Sequence, residues 1–276
     1  MLSERVRTEL PEVSMLVAPK SSQHDIERVH STRYVSQVFS GTLSQSEERR
    51  IGFPWSPSLV ERSRRSAGAT QAAAQAALRD GVSVNLAGGT HHAHQDFGSG
   101  FCVFNDIAIA IRDLQSQGLQ RLAVLDLDVH QGDGTATIFE SDTSVLTTSI
   151  HCETNFPFRK AMSDFDIGLV KGSSDSVYFE AMERVLHRIE VFKPQLLFYL
   201  AGADPYEADT LGHLAITKSG LLLRDERVLG WARQFETPIA IAMGGGYAHN
   251  IPDIVDIHFN TVRLALDHAS EFNGTV

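Results

Sequence analysis

The amino-acid sequence predicts an α/β fold in which helices cover both faces of a single parallel sheet. Helical and strand patterns alternate along the chain from about residue 66 onward. The strand patterns are short, continuous apolar runs, which are typical of parallel strands buried on both faces. Polar and glycine-rich motifs follow four of these runs directly, as expected for the loops that join strands to helices.

The predicted elements follow one another without a linker, so we expect one domain over residues 1–276. An alanine-rich helix over Ser66–Arg79 is closed by Asp80 and Gly81. The later elements, in chain order, are strand Val82–Ala87, helix Asp106–Ser116, strand Leu122–Val129, a short helix after Gly134, strand Val145–Ile150, helix Ser174–Phe192, strand Gln195–Ala201, helix Lys218–Phe235, strand Pro238–Met243 and helix Ile251–His268. The polar segment Ser40–Arg50 and the tail after Ser270 are predicted to be loop or frayed end.

Composition narrows the class of protein. A chain of 276 residues with 42% hydrophobic residues can bury a sizeable core. No apolar run reaches the roughly 18 residues of a membrane span, and the N-terminus lacks a secretory apolar region. Cys102 and Cys152 are far apart, which fits a reducing compartment, so we expect a cytoplasmic protein without membrane contacts. The formal charge of −10 argues against a nucleic-acid partner.

The strongest chemical signal is the end of the predicted strand at residue 122. Because side chains alternate along a strand, Asp126, Asp128 and His130 are expected to point the same way. Two carboxylates and an imidazole on one buried face favour a divalent metal, either zinc or iron(II). The alternative is a strand end whose acids cap the next helix and bind solvent.

Three other strand ends carry polar or glycine-rich motifs. They hold the pair His91 and His92, the carboxylate Asp204, and the run Gly244–Gly246 followed by Tyr247. Histidine titrates nearest neutral pH and is suited to proton transfer, and glycines let the main chain approach a ligand closely. Each motif alone fits an ordinary turn. Together they indicate a site, because ligands of open parallel sheets bind at the carboxyl ends of strands.

These motifs resemble the zinc-dependent histone deacetylase superfamily, and within it the class IV and bacterial deacetylase-like members. The resemblance runs from about His30 to Tyr247 and rests on these segments: Gly88-Gly-Thr-His-His92, Gly100-Phe-Cys-Val-Phe-Asn-Asp106, Asp126-Leu-Asp-Val-His-Gln-Gly-Asp-Gly134, Gly202-Ala-Asp-Pro205 with Asp209-Thr-Leu-Gly212, Gly244-Gly-Gly-Tyr247, Arg50-Ile-Gly-Phe-Pro-Trp-Ser56 and Asn155-Phe-Pro-Phe-Arg159. It implies an arginase/deacetylase-like fold, with residues 1–276 forming one deacetylase-like domain.

The resemblance also implies roles for the site residues. Asp128, His130 and Asp204 are expected to bind the metal and to leave a coordination position open for water and substrate. One of the two adjacent histidines takes a proton from the attacking water and the other protonates the leaving amine. His92, supported by Asp133, is expected to be the general base, and His91 is expected to pair with Asp126. Tyr247 is expected to donate to the oxyanion.

Substrate and cation contacts are implied in the same way. An aliphatic substrate chain is expected to lie among Phe101, Phe156, Phe158, Gly100 and Gly246, with the Gly100 carbonyl accepting from the substrate amide. For the phenylalanines, plain core packing is the alternative. The family's structural potassium site corresponds to main-chain positions Asp126, Asp128, His130, Ser149 and Ile150.

The expected function is removal of an acetyl or longer acyl group from a lysine-like amine. Three alternatives remain open: deacylation of an acetylpolyamine or another small molecule, binding of acyl-lysine without catalysis, and arginase-like hydrolysis with two metals. Compared with the family pattern, the chain is expected to lack an upstream strand and rim loop, which predicts a more open rim and an exposed sheet edge. The sequence leaves the oligomeric state open.

Overall fold

The computed structural model describes residues 1–273, in which six strands form one all-parallel sheet. The strand order is β1-β6-β5-β2-β3-β4. The strands are β1 Val82–Asn85, β2 Leu122–Asp126, β3 Val145–Cys152, β4 Phe165–Leu169, β5 Leu196–Ala201 and β6 Ile239–Met243. Every pair of neighbours is parallel. The predicted α/β class is therefore confirmed.

Ten helices surround this sheet in the part of the chain that the structure describes. They are α1 Leu2–Glu9, α2 Gln23–Glu27, α3 Thr32–Ser40, α4 Gln45–Ile51, α5 Pro57–Asp80, α6 Asp106–Ser116, α7 Asp133–Phe139, α8 Asp175–Phe192, α9 Lys218–Gln234 and α10 Ile251–Asn273. None of the helices in residues 1–273 combines the length and apolar character that crossing a membrane requires.

Alternation along the strands distributes the core between the two faces. In β2, Ala123 and Leu125 join the core that includes α8, α9 and α10. Leu122 and Val124 face the opposite way, into the core that includes α3, α5 and α6. Because successive strand side chains point to opposite faces, a strand with helices on both sides is apolar throughout.

Several predicted boundaries were wrong for local reasons. Within the segment predicted as loop, α4 forms because Ser44 and Glu47 make a reciprocal capping box. Helix α5 begins at Pro57 rather than Ser66, after the N-cap Ser56. Helix α10 continues through the start of the predicted tail to Asn273, and residues 274–276 lie outside the described residues.

Other elements were not anticipated at all. Helices α1 to α3 and the strand β4 were absent from the prediction, and β1 ends at Asn85 rather than Ala87. Strand β1 is the terminal strand of the described sheet. Partly buried Val13 and Met15 pack in the same small cluster as Val84 and α1, which rests on α10.

Candidate metal and proton-transfer site

The loops that carry the predicted site leave neighbouring strands at the carboxyl edge of the sheet. Strand β5 lies between β6 and β2, so the loop with Asp204 lies between the loop with Tyr247 and the loop with Asp128. In an open parallel sheet this edge is where ligands bind. The strand order therefore brings together Asp128, Asp204 and Tyr247, which are separated by 76 and 43 positions in sequence.

The main chain after β2 departs from the predicted strand. Strand β2 ends at Asp126, so the argument from strand alternation does not extend to His130. Instead, the Asp126 carboxylate accepts the main-chain N–H of Asp128 at 3.1 Å, and the Asp128 carboxylate accepts that of His130 at 2.9 Å. These consecutive side-chain turns bring the alternate residues into one site without a strand.

Asp128, His130 and Asp204 form a compact group of potential metal ligands. One atom from each residue can be chosen so that all lie within 4.8 Å of one another. Nδ1 of His130 lies 2.9 Å from Oδ1 of Asp128 and 3.2 Å from Oδ2 of Asp204. This Oδ2 atom is buried and receives no hydrogen bond in the described structure. A buried carboxylate oxygen without a donor is costly, and a bound cation would remove that cost.

Glycines on the β6 loop allow the main chain to reach these carboxylates. The N–H of Gly245 donates to Oδ2 of Asp128 at 2.9 Å. A Cβ atom on Gly245 would overlap Oδ2 of Asp204, and one on Gly244 would lie 2.9 Å from Oδ2 of Asp128. Neither glycine has a positive φ. Close approach, rather than an unusual turn, explains why glycine is present here.

The three side chains of this group shift one another's pKa values. Burial and the neighbouring Asp128 charge raise the pKa of Asp204 to about 7. Burial alone would lower the pKa of His130, but the hydrogen bond with Asp128 and the nearby charges of Asp128 and Asp204 outweigh burial and raise it to about 11. Without a bound cation, the protonated imidazole thus offsets part of the carboxylate charge. A divalent ion held by the same donors would take over this role.

His91 and His92 lie beside the candidate ligands and are each bound to a carboxylate. Nδ1 of His91 lies 2.6 Å from Oδ2 of Asp126, and Nδ1 of His92 lies 2.7 Å from Oδ1 of Asp133. Burial alone would lower the pKa of His91, but the charges of Asp126 and Asp128 raise it to about 9. Burial, followed by repulsion from His91, lowers the pKa of His92 to about 4. One imidazole is therefore protonated and the other neutral near pH 7.

Two polar residues in this region had no predicted role. His94 places Nε2 3.1 Å from Oδ2 of Asp133, so His92 and His94 share that carboxylate. Asn155 places Nδ2 3.4 Å from Nε2 of His130 and donates to the carbonyl of Leu211 at 2.6 Å. Asn155 belongs to a motif that we recognised, but only the fold shows what its amide contacts.

Aromatic side chains surround the entrance to the site. The Phe156 ring lies edge-on to His92, with centroids 4.8 Å apart, and the Phe158 ring lies 6.3 Å from that of Phe156. Phe101 is 46% exposed and lies 6.3 Å from the Tyr247 ring. Phe158 is exposed, so neither it nor Phe101 is plain core.

Glycines near the entrance pack closely against their neighbours. A Cβ atom on Gly100, whose φ is +51°, would lie 2.6 Å from the His92 ring. Gly246 packs against Ile254 of α10, away from the carboxylates. Phe101 itself has a φ of +66°, which is uncommon for a bulky residue and typical of strained functional segments.

The five main-chain positions of the expected potassium site lie on neighbouring strands and their loops. Asp126 of β2 pairs directly with Ser149 of β3, and Ile150 follows. A small cavity lies beside this pair and is lined by side chains that include Asp126, Thr148 and Ser149.

Comparisons with known proteins identify the family of the chain. The histone deacetylase domain family matches residues 1–262. An uncharacterized protein from Picosynechococcus sp. is 47% identical over 88% of this chain and 81% of its own length. A probable deacetylase from Methanothermobacter thermautotrophicus is 33% identical over 81% of this chain and 71% of its own length.

A solved structure shows the same fold. The crystal structure of an HDAC homolog complexed with SAHA superposes with a TM-score of 0.82 and 23% sequence identity, covering 99% of this chain and 82% of that chain. The fold, the grouping of the strand-end motifs and the match over residues 1–262 lead to one conclusion: this chain belongs to the histone deacetylase family.

Proposed function

We propose that this protein is a metal-dependent deacylase that removes acetyl or longer acyl groups from lysine-like amines. One observation carries the proposal: Asp128, His130 and Asp204 lie beside two histidine–carboxylate pairs whose pKa values are displaced in opposite directions. Opposed pKa values in one site are typical of an acid and a base with separate tasks. The whole chain, residues 1–276, would act as a single deacetylase-like domain.

The proposed metal is zinc, with iron(II) as the alternative, held by Asp128, His130 and Asp204. The donor set of two carboxylates and one imidazole suits either ion, and the undonated Oδ2 of Asp204 supports a cation there. When bound, such an ion polarises a substrate carbonyl and lowers the pKa of water. Three protein ligands leave a position for substrate.

The two histidines would divide the proton transfers. His92, neutral because burial lowers its pKa, would accept the proton of the attacking water at Nε2, since its Nδ1 is bound to Asp133. His91, protonated beside Asp126, would donate to the leaving amine. Each carboxylate holds its ring in one orientation, which preserves the division of roles.

Tyr247 would stabilise the oxyanion that forms on the substrate. Burial and the charges of Asp128 and Asp204 raise the pKa of its phenol above the ordinary value, so the hydroxyl keeps its proton and remains a donor. Phe101, Phe156 and Phe158 would line the approach for the aliphatic chain, with the Gly100 carbonyl accepting from the substrate amide and Gly246 supporting the Tyr247 loop.

We also propose a structural potassium ion bound by main-chain carbonyls of Asp126, Asp128, His130 and Ile150 together with Ser149. The direct pairing of Asp126 with Ser149 and the small cavity beside them support it. Potassium there would offset the negative charge of Asp126 behind the divalent site.

An acylated polyamine or another small acylated amine is the alternative substrate. The proposed chemistry acts on the amide bond and does not depend on the molecule that carries the amine. Binding without catalysis is less favoured, since a mere acyl-lysine binder needs neither His91, His92 nor Tyr247. An arginase-like pair of metals needs further ligands, and in residues 1–273 only one group of three such side chains occurs.

The proposal is tested by loading the purified chain with zinc or iron(II) and measuring acyl release from acyl-lysine peptides and acylpolyamines. We expect about one divalent ion per chain and hydrolysis of at least one substrate class. Asp204→Ala should lose metal and hydrolysis together. Asp142→Ala removes a carboxylate just before β3, at the amino ends of the strands and away from the site. This variant should retain both metal and hydrolysis. Metal-loaded protein that hydrolyses none of these amides would overturn the proposal.

A further inference from the structure

We propose that Asp209 is a positioning residue for Tyr247, and that Asp209 and Thr210 together determine where the phenol points. The inference rests on the proposed function, in which Tyr247 donates to the oxyanion. It concerns the loop between β5 and α9. Beyond Asp204, this loop contains no candidate metal ligand and no proton-transfer residue.

Both main-chain polar groups of Tyr247 are bound by this loop. The N–H of Tyr247 donates to Oδ2 of Asp209 at 2.5 Å, and the hydroxyl of Thr210 donates to the Tyr247 carbonyl at 2.6 Å. Asp209 and Ala248 also form an isolated antiparallel bridge. Two consecutive residues of one loop thus hold the main chain on both sides of the Tyr247 side chain.

Tyr247 needs such support because of what precedes it. Gly244, Gly245 and Gly246 allow close approach to the carboxylates, but a run of glycines restricts the main chain very little. Tyr247 is 39% exposed, so packing holds it only in part. The orientation of the phenol must therefore come from contacts that the glycines do not provide.

The loop is itself held in place by hydrogen bonds within it and by Asn155, which lies next to the candidate metal ligands. Oδ1 of Asp209 accepts the N–H groups of Leu211 and Gly212, both at 2.8 Å. Asn155 donates to the Leu211 carbonyl and accepts the N–H of His213 at 3.0 Å. Because Asn155 also lies against His130, these bonds connect the position of Tyr247 to that of a candidate metal ligand.

A carboxylate is required at position 209 because both oxygens are used. Hydrogen bonds to an ionised acceptor are shorter and stronger than neutral ones. An asparagine has one acceptor oxygen, which can keep the two loop N–H groups. Its NH₂ group would then face the N–H of Tyr247. Two donors that face each other cannot form a hydrogen bond. Asp209→Asn therefore breaks the link to Tyr247 while it preserves the shape and the loop turn.

The test measures kcat and KM of zinc-loaded variants on an acetyl-lysine peptide. For Asp209→Asn we expect kcat to fall about 10- to 100-fold, the scale of a displaced catalytic group, with KM changed less than about threefold and metal content unchanged. Asp209→Asn combined with Tyr247→Phe should be no slower than Tyr247→Phe alone, because both changes remove the same contribution. If Asp209 had a merely structural role, the double variant would have a lower kcat than Tyr247→Phe alone.

Two more variants complete the experiment. Asp142→Asn alters a carboxylate that likewise accepts the N–H of a residue two positions on, and it should keep wild-type kcat. Thr210→Val removes the hydrogen bond to the Tyr247 carbonyl and should also lower kcat. This variant tests the inference even if Asp209→Asn fails to fold. Two results would overturn only this inference. In the first, Tyr247→Phe lowers kcat but Asp209→Asn and Thr210→Val do not. In the second, the losses of Asp209→Asn and Tyr247→Phe are additive in the double variant. Tyr247→Phe at wild-type kcat overturns the oxyanion role as well.

Discussion

The rings of His91 and His92 lie 4.1 Å apart between centroids, yet each is bound to a different carboxylate. The charges of both Asp126 and Asp128 act on His91, whereas Asp133, which contacts His92, is shared with His94. Two chemically identical side chains at adjacent positions therefore hold opposite protonation states. Burial lowers the pKa of His92, and the charge of protonated His91 lowers it further.

This pair predicts the pH dependence of hydrolysis. His92 accepts a proton only when neutral, so activity falls as pH drops through its pKa of about 4. His91 donates only when protonated, so activity falls as pH rises through its pKa of about 9. We expect a plateau of kcat/KM between these limbs in a rate profile. Asp126→Asn should move the alkaline limb to lower pH, and an unmoved limb would contradict the assignment.

His92→Ala should abolish most of the hydrolysis but leave the metal bound. The ring lies beside the candidate ligands rather than among them, and general-base catalysis contributes about 10²- to 10⁴-fold. Acetate release and metal content, measured on the same preparation, check both parts. His187→Ala, at an exposed histidine on α8, serves as control and should behave as wild type. Metal loss from His92→Ala would make His92 a ligand and refute the proton-transfer scheme.

Tyr247→Phe should lower kcat much more than it changes KM. The phenolic bond strengthens only as the carbonyl oxygen gains charge, and loss of one oxyanion donor costs about 10²- to 10³-fold in rate. The ring remains to contact Phe101, so folding and metal content should persist. Steady-state kinetics on an acetyl-lysine peptide check this. An unchanged kcat would show that Tyr247 only packs at the rim.

His30 should contribute to loss of stability in acid. Its Nδ1 lies 2.8 Å from the His94 carbonyl, and its Nε2 accepts the N–H of Asn105 at 2.9 Å, so the buried ring is neutral. Burial lowers its pKa from 6.5 to about 4. The unfolded chain therefore takes up the proton first, and the stability present above pH 6.5 is lost as pH falls through about 4.

The measurement is the free energy of urea unfolding at several pH values. Between pH 6.5 and 4, the pH dependence of His30→Gln should be shallower than wild type by up to about 1.4 kcal/mol per pH unit. His187→Gln, at an exposed site, should keep the wild-type slope. Parallel curves for wild type and His30→Gln would refute the prediction.

The class of fold and the positions of the chemically important residues follow from patterns in the sequence. Buried parallel strands are apolar throughout, so β2, β5 and β6 are visible as short runs, and the polar residues that end them are conspicuous. The motif order then indicated the family. Segments whose structure depends on caps and distant packing, such as α4 and β4, were missed because their local composition is polar or mixed.

The assembly of the site, in contrast, depends on the three-dimensional fold. The strand order places the Asp204 loop between the other two, and the turns after Asp126 replace the predicted strand. The bonds from His94 to Asp133, from Asn155 to the loop beside His130, and from Asp209 to Tyr247 join residues that are 38 to 56 positions apart. Such pairings depend on strand register, loop course and burial, which local patterns along a sequence do not encode. For the same reason, the opposite pKa displacements of His91 and His92 follow from their surroundings and not from their residue type.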